Sequence, residues 1–254
     1  MNEPSVKGYA FGTFKGVFTP SILTILGVIM YLRSGWVLGH VGLTLTLAIV
    51  TLSSSVTFLT GLSVSALATN MRVKGGGAYY MISRSLGVEA GGAIGIPLFL
   101  AQAISIAFYA AGFAESVVAV LPMFDVKTVG LMTLAILGVI TAFSADLALR
   151  TQYVVMVFIA LSLLSLFLGG PPDAASLTPP AAAPPVLGFW PVLAVFFPAV
   201  TGLLAGVSMS GDLKNPSRSL PLGTILAVLT SYAIYLAIPI FLNTVVPDRG
   251  VLLT

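Results

Sequence analysis

Blocks of apolar sequence, each about 20 residues or longer, succeed one another along the whole chain, and no other feature restricts its fold as strongly. Rising 1.5 Å per residue, such a block crosses a hydrocarbon core roughly 30 Å thick as a helix. Charged residues make up 7% of the 254, against roughly 25% in an average soluble domain, so the chain has no charged coat to present to water. Lipid offers no partner to exposed backbone groups, which leaves helices and closed barrels as spanning forms. The two-residue alternation of a barrel strand is missing from these blocks. The expectation is an all-α, multi-pass integral membrane protein in which residues 1–254 form a single transmembrane domain.

Seven spans are predicted, at about 16–38, 42–69, 89–121, 127–145, 151–169, 189–211 and 220–246. Six of the 16 prolines fall between Pro171 and Gly188, which reads as an extended linker between the fifth and sixth spans. With the N-terminus inside, eight basic residues (Lys7, Lys15, Arg72, Lys74, Arg84, Arg150, Lys214 and Arg218) lie on the inner side and three (Arg33, Lys127 and Arg249) on the outer. That asymmetry is the one cytoplasmic loops carry, and it places the chain in a plasma or inner membrane with a cytoplasmic N-terminus. An odd number of spans then leaves the other end outside, where the sequence stops at Thr254 like a cut chain.

The net charge of +3 is small and scattered, so the partners expected are the lipid bilayer and small inorganic ions rather than nucleic acid. There is no cysteine, hence neither a disulfide nor a thiolate metal site. No small-residue cleavage site follows the first apolar block, so no cleaved signal peptide is expected. Paired carboxylates, Ser–His or Cys–His sets and metal-ligand spacings are missing too, so neither an enzyme nor a cofactor is expected.

Two spans differ from the rest. The first carries Thr24, Ile25, Leu26, Gly27, Val28 and Ile29 near its middle, and the sixth carries Pro198, Thr201, Gly202 and Gly206. Glycine and proline are ordinary in membrane helices, where they permit close packing or a kink. These two spans, however, are corresponding members of two five-helix halves, and paired interruptions at corresponding positions point to a midplane transport site. A broken helix turns carbonyls outward from the end of its leading half and N–H groups from the start of its trailing half. Carbonyls near Thr24 and Ile25 would then hold a cation and the amides of Gly27, Val28 and Ile29 an anion. In the sixth span Pro198 and Thr201 fall on the carbonyl side, and Gly202, Leu203 and Leu204 on the amide side.

The third span adds a polar stripe of Gln102, Ser105, Tyr109 and Glu115. Tyr109 suits either a site or an interfacial, packed role. Arg33 lies six residues outward of Gly27, and Glu115 six outward of Tyr109, so both charges stand about 9 Å above those residues. They fit a pair closing an outer gate, or two unrelated interfacial charges. The KGGGAYY run at 74–80 is no phosphate loop and suits a flexible inner turn where helices approach closely. His40 reads as interfacial rather than as a ligand. Asp212, Lys214 and Arg218 read as solvated inner-loop charges.

In these stretches the sequence resembles the cation–chloride cotransporters of the amino acid–polyamine–organocation superfamily. The matching segments are FGTFKG at 11–16, GVIMYLR at 27–33, GLSVSALATN at 61–70, GGGAYYMISRSLG at 75–87, FYAAGFAE at 108–115, FFPAVTG at 196–202 and SGDLKNP at 210–216. They cover spans one to three and six densely, and spans four and five hardly at all. The resemblance implies a LeuT-type fold of five plus five inverted-repeat helices. The first repeat would occupy about 16–169, and the first two helices of the second about 189–246. It also implies secondary symport of a monovalent cation, potassium with sodium as a further candidate, together with chloride. Tyr109, Pro198 and Thr201, with the carbonyls of Thr24 and Ile25, match the family's potassium site. One chloride would sit at Gly27, Val28 and Ile29, and a second at Gly202, Leu203 and Leu204. Arg33 and Glu115 match its outer gate, and a homodimer is open.

There are departures. Animal relatives carry Asn where this chain has Thr24, and an aromatic where it has Leu26, which loosens the assignment of potassium. The helices that would complete a sodium site fall beyond Thr254, and the long N-terminus of animal members is missing, which points to a simple prokaryotic form. Two alternatives stand beside symport: a permease for amino acids or amines from the same superfamily, and a transport-inactive fragment.

Overall fold

The computed structural model describes residues 11–71, 73–143, 145–170, 186–246 and 249–253. Lys7, Arg72, Thr254 and most of the proline-rich linker lie outside the described residues. Helix dominates, with nine α-helices among those residues: α1 Thr19–Ile25, α2 Val28–Asn70, α3 Gly77–Leu86, α4 Val88–Val120, α5 Val126–Phe143, α6 Ala145–Leu168, α7 Phe189–Phe196, α8 Leu203–Ser208 and α9 Pro216–Val245. One π-helical turn, Phe14–Phe18, leads into α1, and short 3-10 turns follow α7, α8 and α9. The only extended pairing among the described residues is an isolated bridge between Phe11 and Leu213.

Among the described residues, five helical stretches are long and apolar enough to cross a membrane: Phe14–Asn70, Val88–Val120, Arg150–Leu168, Phe189–Asp212 and Pro216–Val245. Val126–Ala142 is apolar but shorter. The first and second predicted spans thus fall in one largely helical stretch of 57 residues, broken at Leu26 and Gly27. Held straight, it would reach about 85 Å, nearly three hydrocarbon thicknesses. Gly42 resolves this, because its backbone leaves helical geometry at φ 72° and ψ 173° and turns the chain between the two spans. The 74–80 segment also departs from expectation, since a regular helix already begins at Gly77 and only Gly75 and Gly76 form the turn.

The chain divides into two compact units, residues 1–81 with 161–254, and residues 82–160. In the first, α2 lies along α9, with Thr51 Oγ1 and Tyr232 Oη 3.1 Å apart. Its core is apolar and closely packed, with Val17, Val37, Leu38, Ile49, Val192, Val207 and Leu220 all sealed from solvent. Small residues let the helices touch: α8 approaches α1 where Gly206 faces Ser21 and Val17, and α9 approaches the π turn where Gly223 faces Val17. Such contacts replace the hydrophobic driving force that lipid does not supply. In the second unit α4 packs on α5 where Gly130 passes over Ala110 and Ala114.

Candidate functional site

Two lapses in helical hydrogen bonding meet in the first unit. Helix α1 stops at Ile25, Leu26 leaves helical geometry at φ −81° and ψ 43°, Gly27 is extended, and α2 starts at Val28. In the second lapse, the 3-10 turn Phe197–Val200 ends at an extended Thr201, Gly202 takes φ 125° and ψ −8°, and α8 starts at Leu203. The two lie against each other. A Cβ built on Gly202 would come 2.8 Å from Thr24 Cγ2 and 3.1 Å from the Thr24 carbonyl carbon. Only a glycine supplies both that backbone conformation and that clearance. Ser21 Oγ donates to the Leu203 carbonyl at 3.4 Å, a second tie between α1 and the start of α8.

The carbonyls on the leading side are held by hydroxyls from several elements. Thr201 Oγ1 donates to the Pro198 carbonyl at 2.7 Å, and the Thr201 N–H reaches the same oxygen at 3.3 Å. Thr57, on α2, donates to the Val200 carbonyl at 3.1 Å. Tyr235, on α9, reaches the Ile25 carbonyl at 2.8 Å and the Ala199 carbonyl at 3.1 Å. Its ring is 1% exposed and meets Phe196 edge to face, with centroids 5.5 Å apart. Thr24 spends its hydroxyl within its own helix, donating to the Pro20 carbonyl at 2.7 Å, so its side chain offers lone pairs rather than a proton. The result is a rim of backbone and hydroxyl oxygens with no charged side chain on it among the described residues.

On the trailing side, backbone bonding resumes with Met30 N–H to the Gly27 carbonyl at 3.1 Å and Ala205 N–H to the Gly202 carbonyl at 3.0 Å. The first N–H groups of each half, which an unbroken helix would bond four residues back, are left at the interruption. Ile29 and Leu203 are buried there, and Val28 and Leu204 are half-buried. Aligned peptide dipoles give such a helix start partial positive charge, and on α2 the aligned stretch runs from Val28 to the turn at Gly42.

The remaining site residues named from sequence are distributed over the two units. Arg33 is exposed on α2, with its guanidinium 5.7 Å from the Trp36 ring centroid. Tyr109 and Glu115 lie on α4 of the second unit, Tyr109 half-buried and touching Phe108 edge to face, Glu115 exposed. His40 has a structural role: it is 8% exposed, accepts the Leu187 N–H at Nδ1 over 3.1 Å, and meets the Trp36 ring at 4.2 Å.

Asp212 and Lys214, expected only to face water, do more than that. Phe11 N–H donates to the Asp212 carbonyl at 2.8 Å, and Lys214 N–H to the Phe11 carbonyl at 3.0 Å, so their backbones bind the N-terminal segment. Beside them Ser210 Oγ accepts the Gly77 N–H at 3.2 Å and donates to the Lys74 carbonyl at 3.0 Å. Sequence reasoning missed Tyr235, Thr57 and Ser210. For Tyr235 and Thr57 the available signal was a polar residue inside an apolar helix, which packing residues give equally; Ser210 opens the SGDLKNP segment, which did not reveal its partners.

The profile of the family described as "Amino acid permease" matches residues 16–254. The chain belongs to that family. It is 38% identical over 255 residues to human solute carrier family 12 member 1, covering 91% of this chain and 23% of the relative. It is 36% identical over 260 residues to mouse solute carrier family 12 member 2, covering 93% of this chain and 22% of the relative. These similarities bear out the resemblance to the cation–chloride cotransporters read from the motifs. With its long apolar helices, the chain is a multi-pass membrane protein of a transporter family. It spans less than a quarter of the length of the curated relatives it matches.

Proposed function

We propose that this chain carries the ion-binding helices of a secondary transporter that moves a monovalent cation together with chloride. The observation that carries the reading is the contact between the two interruptions, Gly202 against Thr24, which gathers carbonyl ends and amide starts at one place without a charged side chain. Carbonyl and hydroxyl oxygens suit a weakly hydrated monovalent cation, and helix starts suit a small anion.

In this reading the cation, taken as potassium, is held by the carbonyls of Thr24, Ile25 and Pro198 and by the Thr201 hydroxyl. Tyr109 is assigned to the same cation in this reading. One chloride rests on the amides of Gly27, Val28 and Ile29, and another on those of Gly202, Leu203 and Leu204. Arg33 and Glu115 form the outer gate. The fold is the five-plus-five inverted repeat, with both interruptions at the midplane, the N-terminus cytoplasmic and the protein in the cell membrane. Sodium coupling and a homodimer belong to the same proposal.

The test is rubidium uptake by the full-length protein in proteoliposomes, with chloride or gluconate on the uptake side. Uptake should require chloride, because gluconate is too bulky to fit between two helix starts, and bromide should substitute in part. Rubidium uptake that ignores chloride would refute the proposal. So would accumulation of a labelled amino acid or amine in gluconate without cation flux, the behaviour of a permease.

A further inference from the structure

The hydroxyl of Tyr235 lies where the two interrupted helices present their carbonyls, and nothing in the sequence motifs points to it. Its oxygen is 2.8 Å from the Ile25 carbonyl, on the last residue of α1, and 3.1 Å from the Ala199 carbonyl in the 3-10 turn after α7. Those acceptors are 174 residues apart in sequence, and Tyr235 comes from a third element, α9. The ring is fixed by burial and by its edge-to-face contact with Phe196.

A phenol has one proton to donate, and each carbonyl has two lone pairs. One proton shared by two acceptors leaves lone pairs unfilled on both carbonyls, in a buried setting where unmatched acceptors are costly. A cation arriving between them meets that demand. The same hydroxyl fixes how far apart the two carbonyls stand, and that spacing sets which ion radius fits.

We infer that Tyr235 is a positioning residue for cation selection, tying the end of α1 to the turn after α7 and setting the separation of the oxygens that receive the ion. The inference rests on the cotransport reading and deepens it. It also gives α9 a part in the site beyond packing: a shift of α9 would draw on both carbonyls together.

The experiment is Tyr235→Phe in the full-length protein, reconstituted in proteoliposomes, beside the parent and a Phe196→Leu control that disturbs the ring contact but keeps the hydroxyl. Three quantities are read: half-saturation by rubidium, half-saturation by chloride, and the order of uptake among sodium, potassium, rubidium and caesium. Tyr235→Phe should raise the rubidium value about five-fold or more, leave the chloride value within about two-fold, and flatten the cation order. Phe196→Leu should lower the yield of folded protein while keeping the cation order.

An unchanged rubidium value and cation order in folded Tyr235→Phe protein would overturn the inference. Equal shifts for cation and chloride would reduce Tyr235 to a packing residue and overturn it as well. If Tyr235→Phe does not fold, 3-fluorotyrosine placed at position 235 keeps the size but makes the hydroxyl more acidic. It must then move the rubidium value alone, and no movement counts against the inference. A parent protein without chloride-dependent rubidium uptake would refute cotransport itself, a result distinct from a normal parent with an indifferent variant, and the inference would fall with it.

Discussion

Replacing Gly202 by alanine tests the contact on which the whole site depends. Two costs follow from the geometry. At φ 125° and ψ −8° an L-residue is strained, which costs about 1–3 kcal/mol. The new methyl would also come 2.8 Å from Thr24 Cγ2 and 3.0 Å from Thr24 Cβ, and overpacking of that kind typically costs a further ~1–3 kcal/mol. The sum is about 2–6 kcal/mol. The chain can relieve part of it by moving α8 away from α1, which spreads the two interruptions and the groups around them.

The assay has two parts. Thermal unfolding of the purified full-length protein in detergent reads the stability loss, and chloride titration of rubidium uptake reads the spread of the site. Gly202→Ala should lower the unfolding midpoint and raise half-saturation by chloride at least about ten-fold, equivalent to about 1.4 kcal/mol. A Thr24→Ser partner change then isolates the contact. It removes the nearest atom, Cγ2, but leaves the hydroxyl that donates to Pro20 and the Cβ at 3.0 Å. The double variant should therefore recover part of the loss, about 1 kcal/mol, with the backbone strain remaining. Strictly additive effects, or a Gly202→Ala protein indistinguishable from the parent, would refute the claim that these two residues meet.

Tyr109→Phe should leave the fold intact and weaken apparent cation affinity by about 1–3 kcal/mol, the worth of one buried polar group left unmatched; cation titrations identical to the parent would return Tyr109 to packing. Arg33→Gln and Glu115→Gln should each impair uptake more than the two together, because a lone charge facing a closing pathway costs more than a missing pair. A double-mutant cycle reads this, and additivity would show that the charges do not meet. Cysteine placed at position 127 should react with an impermeant thiol reagent in intact cells and cysteine at 74 should not, a clean readout because the chain has no native cysteine. The reverse labelling would invert the orientation.

The sequence made some levels of this structure legible and hid others for physical reasons. Apolar block length sufficed to anticipate helices, because the bilayer sets a length that the chain must meet on its own. Where the first span passes to the second, the blocks marked a boundary near 39–41, and the structure carries helix through it apart from Gly42. Composition alone does not distinguish a loop from a turn made by one residue. Gly27 and Gly202 stood out because glycine beside Thr or Pro in an apolar helix is a local signal. Tyr235 gave none. Its partners at Ile25 and Ala199 are 210 and 36 residues away, and no local periodicity records a hydrogen bond across the bundle. Thr57 is similar, bonding Val200 143 positions later. The knot of Phe11, Lys74, Gly77, Ser210 and Asp212 was hidden for the same reason, since apart from the Ser210 hydroxyl its ties run through backbone groups that every residue possesses.

A rim without formal charge bears on why a cation and chloride would travel together in the proposed transporter. A permanent carboxylate beside the cation would neutralise it during the crossing, and the anion would then be unnecessary. Here the oxygens are backbone carbonyls and hydroxyls, and the amides at the helix starts supply only partial charge. A cation bound alone would leave one uncompensated charge in a medium of low dielectric, where solvation is poor and the cost large. A chloride held on the helix starts a few ångströms away removes most of that cost, and the cation does the same for chloride. Cations and anions are thus each other's counter-charge, with sodium balancing the second chloride of the proposal, so the half-loaded states are the expensive ones to move through the membrane. Placing a carboxylate on the rim, for instance by Thr24→Glu, should therefore loosen the coupling, letting rubidium move with less chloride. If chloride dependence survived that change undiminished, coupling would have to arise from something other than the neutrality of the site.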